Sequence, residues 1–165
     1  DIMPKGRINR RPGASTIFSP SAWAAQVAEA IAEQPAVTMQ VKADFQSTNN
    51  HWNVHVSSEW LESKTGNYKL VVLLTESGIV APQLWYGNNP EYIEEYHHEH
   101  MLRATGTGAT GLTVFTNPTV AAIDVESYTF DWNSAWVADS CEVIALLTEG
   151  DNGRVVNVAK TKLVQ

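Results

Sequence analysis

Val37-Thr38-Met39-Gln40-Val41-Lys42-Ala43-Asp44-Phe45 puts an apolar side chain at every odd position and a polar one at every even position. Successive side chains of an extended chain point to opposite faces, so a period of two predicts a strand with one dry and one wet face. Ser47-Thr48-Asn49-Asn50 reads as a turn, and Trp52, Val54 and Val56 resume the alternation with His51, Asn53 and His55 opposite. The pair is a β-hairpin. Lys64-Thr65-Gly66-Asn67 turns again into residues 68–75, where Leu70, Val71, Val72, Leu73 and Leu74 are apolar on both faces. A strand of that kind belongs at the centre of a sheet.

Outward from this core the signals differ. Residues 1–18 carry Pro4, Gly6, Pro12 and Gly13 around Arg7-Ile8-Asn9-Arg10, which favours extended pieces and turns. Ser19-Pro20-Ser21 offers an N-cap and a proline at the first helical position, and Trp23, Val27, Ala30 and Ile31 fall on one helical stripe before Pro35 stops it. This predicts a helix over 20–33 that buries its Trp23 stripe. Between Glu76 and Pro90 the chain reads as irregular, and Asn89-Pro90-Glu91 as the cap of a short helical turn through Glu95. Gly106, Gly108 and Gly111 form a flexible connection without the Gly-Lys-Ser context of a phosphate loop. Further strands are expected at 128–132, 141–148 and 154–163, the last two joined by the turn Gly150-Asp151-Asn152-Gly153. Short strands divided by Gly, Asn and Asp turns, with no helices between them, predict a mainly β protein, an immunoglobulin-like antiparallel β-sandwich.

Composition narrows the function classes. The 165 residues are 44% hydrophobic, enough for a substantial core, and no stretch reaches the roughly 18–20 apolar residues needed to span a bilayer as a helix. The net charge is −7, with Lys5, Arg7, Arg10 and Arg11 crowded into the first eleven residues. The acidic remainder repels phosphate backbones, which argues against nucleic-acid binding. One cysteine, Cys141, excludes an internal disulfide and a CxxC pair, and its apolar neighbours predict burial as a small hydrophobe.

The densest chemistry is Tyr96-His97-His98-Glu99-His100-Met101-Leu102-Arg103, which holds three of the five histidines. On an extended segment His98 and His100 share a face and could begin a metal site. A third ligand would have to come from Glu99, His51, His55, Glu76 or Glu95. Met101 and Leu102 break the His-Glu-x-x-His pattern of zinc peptidases. The alternative is structural, with the histidines bonded to carbonyls and acids at a sheet edge and Arg103 paired to Glu76 or Glu95. No serine lies in Gly-x-Ser-x-Gly, and the adjacent acids Glu91, Glu94 and Glu95 read as a solvated face. Trp23 and Trp52 belong to apolar stripes. Trp60, Trp85, Tyr86, Trp132 and Trp136 fall near strand ends or loops, where aromatics serve contacts with proteins or sugars.

The run Val72-Leu73-Leu74-Thr75-Glu76-Ser77-Gly78-Ile79, the nearby Gln83, and then Tyr96 to Arg103 resemble the outer membrane protein 28 family of bacterial envelope proteins. Tyr96, His98, His100, Leu102 and Arg103 match that family's segment, while Glu99 stands where asparagine is usual and Met101 where valine is. Tyr128-Thr129-Phe130 and Arg154-Val155-Val156-Asn157-Val158-Ala159 extend the resemblance over most of residues 36–165. Members commonly carry a thioredoxin-like domain ahead of the sandwich. Pro4 as a cis-proline, the Arg7 to Arg10 segment and the helix at 20–33 are similar to the end of one. The resemblance therefore implies a β-β-α appendage over 1–34, a sandwich domain over 35–165, and a cell-envelope, outer-membrane or surface location with a possible lipoprotein anchor in the parent. It points to a non-enzymatic interaction or assembly module without cofactor, whose partner is a protein or envelope component. The candidate binding residues are His98, His100, Arg103, Trp85, Tyr86 and Trp136. The alternatives are a metal-binding or metal-dependent hydrolytic domain using His98 and His100, with Glu99 as a further ligand, and a carbohydrate-binding module through Trp85, Tyr86 and Trp136.

Overall fold

The computed structural model describes residues 5–164. Ten strands run in the order β1 (Val37–Gln46), β2 (His51–Trp60), β3 (Asn67–Glu76), β4 (Ile79–Leu84), β5 (Tyr92–His98), β6 (Met101–Thr105), β7 (Leu112–Thr116), β8 (Ile123–Asp131), β9 (Cys141–Glu149) and β10 (Val155–Lys162). One sheet has the order β1-β2-β8, and a second has β10-β9-β3-β6, with β7 also pairing β3. Every strand pair is antiparallel.

The predicted sandwich follows from how these strands bury their apolar faces. Trp52, Val54 and Val56 of β2 pack with Leu70, Val72 and Leu74 of β3 and Val143 and Ala145 of β9. As its apolar run demands, β3 is central: it pairs β9 along one side and β6 and β7 along the other. Gly111 makes the turn into β7 possible. Its φ is +73°, and a Cβ there would lie 2.8 Å from the carbonyl oxygen of Leu70. Cys141 is fully buried, and desolvation, aided by the charge of Glu76, pushes its thiol up to about 11.

Three local expectations are corrected. The helix α1 (Pro20–Ala32) forms on its Ser19-Pro20 start, but none of its residues is buried, and Val27 and Ile31 are 41% and 77% exposed. Only Trp23 is held, its indole N–H donating to the Phe18 carbonyl at 2.9 Å and its ring covering Gly6. The Arg7 to Arg10 segment is a turn, with φ near +50° at Asn9 and Arg10; among the described residues ahead of the helix the β-pairing is a single bridge between Gly6 and Phe18, and the Asn9 carbonyl accepts the Val155 N–H at 2.8 Å. The cis-proline expected at Pro4 lies outside the described residues.

The last correction concerns residues 76–95, which form two strands rather than an irregular stretch and a helical turn. β5 pairs β4, and the Trp85 N–H donates to the Glu91 carbonyl at 2.8 Å to close the hairpin. A two-stranded sheet with no buried face leaves no strict alternation to read, and Pro82 is tolerated because an edge position needs no donor.

β8 begins five residues before the expected strand at 128–132, because its first part is patterned inside out. Asp124 and Glu126 stand opposite Ser58 and Val56, both buried, while Ile123 and Val125 are 65% and 64% exposed. Acids turned inward on an edge strand oppose pairing with another sheet. Tyr128 lies on the same inner face opposite Val54. Burial, with Glu126 and Asp124 nearby, pushes its phenol up to about 12.

Desolvation, reinforced by Glu126, also raises the Asp124 carboxyl above the usual value. A carboxyl raised in the folded state carries no penalty below its unfolded pKa, and its stability contribution is lost as pH rises through the folded value. Asp124→Asn is therefore expected to melt a few degrees higher at pH 7, with the gain vanishing as pH approaches 3. Thermal scans from pH 3 to 8 test this, and a lower melting point at pH 7 would contradict it.

Candidate functional site

β4 and β5 form a two-stranded sheet that pairs with no other strand among the described residues, and neither contains a buried residue. They make an arm standing off the sandwich. At its base the Ser77 N–H donates to the Ser140 carbonyl at 2.9 Å, and the His100 N–H donates to Ser77 Oγ at 3.1 Å. Gly78 and His100, both with positive φ (74° and 52°), turn the chain into and out of the arm.

Strand parity sorts the arm's side chains. On one face Ile79 stands opposite His98 and Ala81 opposite Tyr96, all half-buried. Trp85, Tyr96 and His98 form a ladder there, with ring centroids 6.3 and 4.9 Å apart and edge-to-face geometry. Such contacts add about 0.5–1.5 kcal/mol each, which matters because an isolated hairpin is only marginally stable. The other face carries Val80, Pro82 and Leu84, with Tyr92 opposite Leu84. Val80, Leu84 and Tyr92 are 52–57% exposed, and Tyr86 at the tip is 82% exposed.

The histidine segment is divided between two elements. His98 ends β5, while His100 sits in the turn before β6, so the alternation that would align their rings is broken. His100 Nδ1 lies 3.8 Å from Glu142 Oε2, and His100 and Glu99 line an open cleft of about 420 Å³ with Asp139, Glu142, Lys160 and Lys162. His98 belongs to the arm's ladder instead. His51 and His55 lie on β2 in the other sheet, His55 Nδ1 being 2.8 Å from Ser127 Oγ. Among the described residues, no group of three His, Cys, Asp or Glu side chains converges as metal ligands would.

Arg103 takes the first of its two expected partners. Its Nε donates to Glu76 Oε2 at 2.7 Å, while Glu76 Oε1 accepts the Val137 N–H at 2.9 Å. The Glu76 side chain is 5% exposed, so this pair locks β6 and the loop before β9 to the end of β3, directly beneath the arm. Trp136 is brought elsewhere: it packs edge-to-face on Trp132 at 5.6 Å and extends the core. Of the three aromatics proposed for ligand contact, only Trp85 and Tyr86 share the arm. Val80, Leu84 and Tyr92 were missed, because the neighbouring Ile79 and Ala81 are apolar as well and leave no period of two to read.

The profile of the family described as outer membrane protein Omp28 matches residues 2–165. The chain belongs to the Omp28 family. It is thus a protein of the cell envelope, at the outer membrane. A crystal structure of a domain of the outer membrane lipoprotein Omp28 from Porphyromonas gingivalis superposes with a TM-score of 0.52 at 15% identity, covering 79% of this chain and 90% of that one. At that identity the likeness establishes a shared fold. A β-glucosidase structure from Kluyveromyces marxianus overlaps 78% of this chain and 14% of its own at 11% identity and a TM-score of 0.32, too low to bear on activity. A search of curated proteins found no match. No helix among the described residues of this Omp28 chain is long and apolar enough to cross a membrane.

Proposed function

We propose that this Omp28 chain is a non-enzymatic interaction or assembly module of the envelope, and that the β4–β5 arm is its contact element. The observation that carries this reading is the arm itself: a hairpin that pairs with no other described strand and exposes Val80, Leu84 and Tyr92 on one face, the edge of Trp85 on the other and Tyr86 at its tip. A soluble surface gains nothing from clustering large apolar side chains on a projecting element, whereas a contact surface does. In this reading residues 1–34 are an appendage, residues 35–165 are the sandwich that presents the arm, and Arg103 with Glu76 stiffens its root.

The test is a photoreactive residue placed at Tyr86 in the full protein in intact cells, with the same residue at exposed Asp44 on β1 as the control. A discrete adduct from position 86 that is absent from position 44 and lost in Trp85→Ala is the expected result. Equal adducts from both positions, or none from position 86, would overturn the proposal.

A further inference from the structure

We infer that the exposed Val80-Pro82-Leu84-Tyr92 face of the arm docks a basic, apolar segment of a partner protein, held by side-chain contact. This rests on the interaction reading above and names the chemistry of the partner.

Charge is the first argument. Residues 77–102 contain Glu91, Glu94, Glu95 and Glu99 and not one lysine or arginine. Glu94 and Glu95 are exposed in the middle of the arm, and Glu91 lies beside the tip. Exposed His97 stands opposite Val80 on this face. Acids without lysine or arginine around a mainly apolar strip complement a cationic partner and raise its rate of encounter. The same acids disfavour two other occupants. A second copy would bring like charges face to face, and an anionic lipid surface would repel the arm.

Backbone geometry supplies the second argument. Pro82 removes a donor from β4, and the ladder shifts register between Ala81 and Gln83, where Glu94 and Glu95 on β5 span the interval that Pro82 alone spans on β4. A proline on one strand and a bulge on the other are both devices that spoil an edge for strand addition. With both edges spoiled, the free apolar face is left as the docking surface. The other face is occupied by the arm's own Trp85, Tyr96 and His98 ladder.

The test uses the full chain labelled for NMR and three probes: a ten-residue peptide alternating lysine and valine, its glutamate–valine counterpart, and phosphatidylglycerol vesicles. The lysine peptide is expected to shift the amides of Val80, Leu84 and Tyr92 saturably and more strongly at low salt. The combined change Val80→Ser and Leu84→Ser should weaken it at least about tenfold, a loss typical of removing two exposed apolar anchors. Reversing Glu91, Glu94 and Glu95 to lysine should transfer the preference to the glutamate peptide, while reversing Asp44 and Glu59 on the body should not.

Equal response to both peptides, stronger response to the vesicles, or self-association through the arm in sedimentation would overturn the inference. An adduct at Tyr86 in cells together with no response to the lysine peptide would sink the basic partner and leave the interaction reading standing. Absence of the adduct would sink the interaction reading itself.

Discussion

Arg103→Ala is expected to lower the free energy of unfolding by about 3 kcal/mol, because it strands a buried carboxylate. Glu76 is 5% exposed and accepts from two donors, Arg103 Nε at 2.7 Å and the Val137 N–H at 2.9 Å. Removing the guanidinium leaves that negative charge with one backbone amide. The reverse change is milder: Arg103 is 31% exposed, so in Glu76→Gln it can turn to water. Adding Glu76→Gln to Arg103→Ala should therefore restore part of the loss, since a neutral amide is less costly to bury than an unpaired charge. Urea denaturation of the two single variants and the double gives the three numbers. An Arg103→Ala loss under about 1 kcal/mol, the range of a surface pair, would mean that Glu76 is effectively solvated.

Trp52→Ala is expected to cost about 3–5 kcal/mol, the range for emptying a large aromatic site in a core. Trp52 is fully buried, packs tilted against Phe45 and edge-to-face against Trp132 with ring centroids 5.1 and 6.3 Å apart, and belongs to the cluster that joins the two sheets. Trp52→Phe should cost distinctly less. The indole N–H has no hydrogen-bond partner among the described residues, so phenylalanine gives up volume without breaking a polar contact. Comparing both variants by denaturant midpoint at constant m-value separates packing from polar loss. Equal losses would mean that Trp52 acts through its N–H.

The sandwich was legible where one face of a strand is buried and the other wet. Met39, Val41, Ala43 and Phe45 on β1 and Trp52, Val54 and Val56 on β2 wrote the hairpin into the sequence, and the doubly apolar Leu70 to Leu74 run placed β3 at the centre. β8 was half legible, since its inward acids Asp124 and Glu126 invert the pattern that burial normally imposes. The Arg103–Glu76 pair was anticipated as one of two options, and the burial of β3 selected it.

The strand-rich core, the buried Cys141 and the acidic character of the chain are readable from residue order alone, because each follows from side-chain chemistry repeated along a local stretch. The role of the histidine segment and the position of the arm come from long-range pairing. His98 and His100 are two residues apart in sequence, yet the turn at His100 assigns one to the hairpin's ladder and the other to a cleft beside Glu142. Backbone pairing between distant strands made that division. Pairing depends on which partner strand is available, and side-chain periodicity carries no record of that choice.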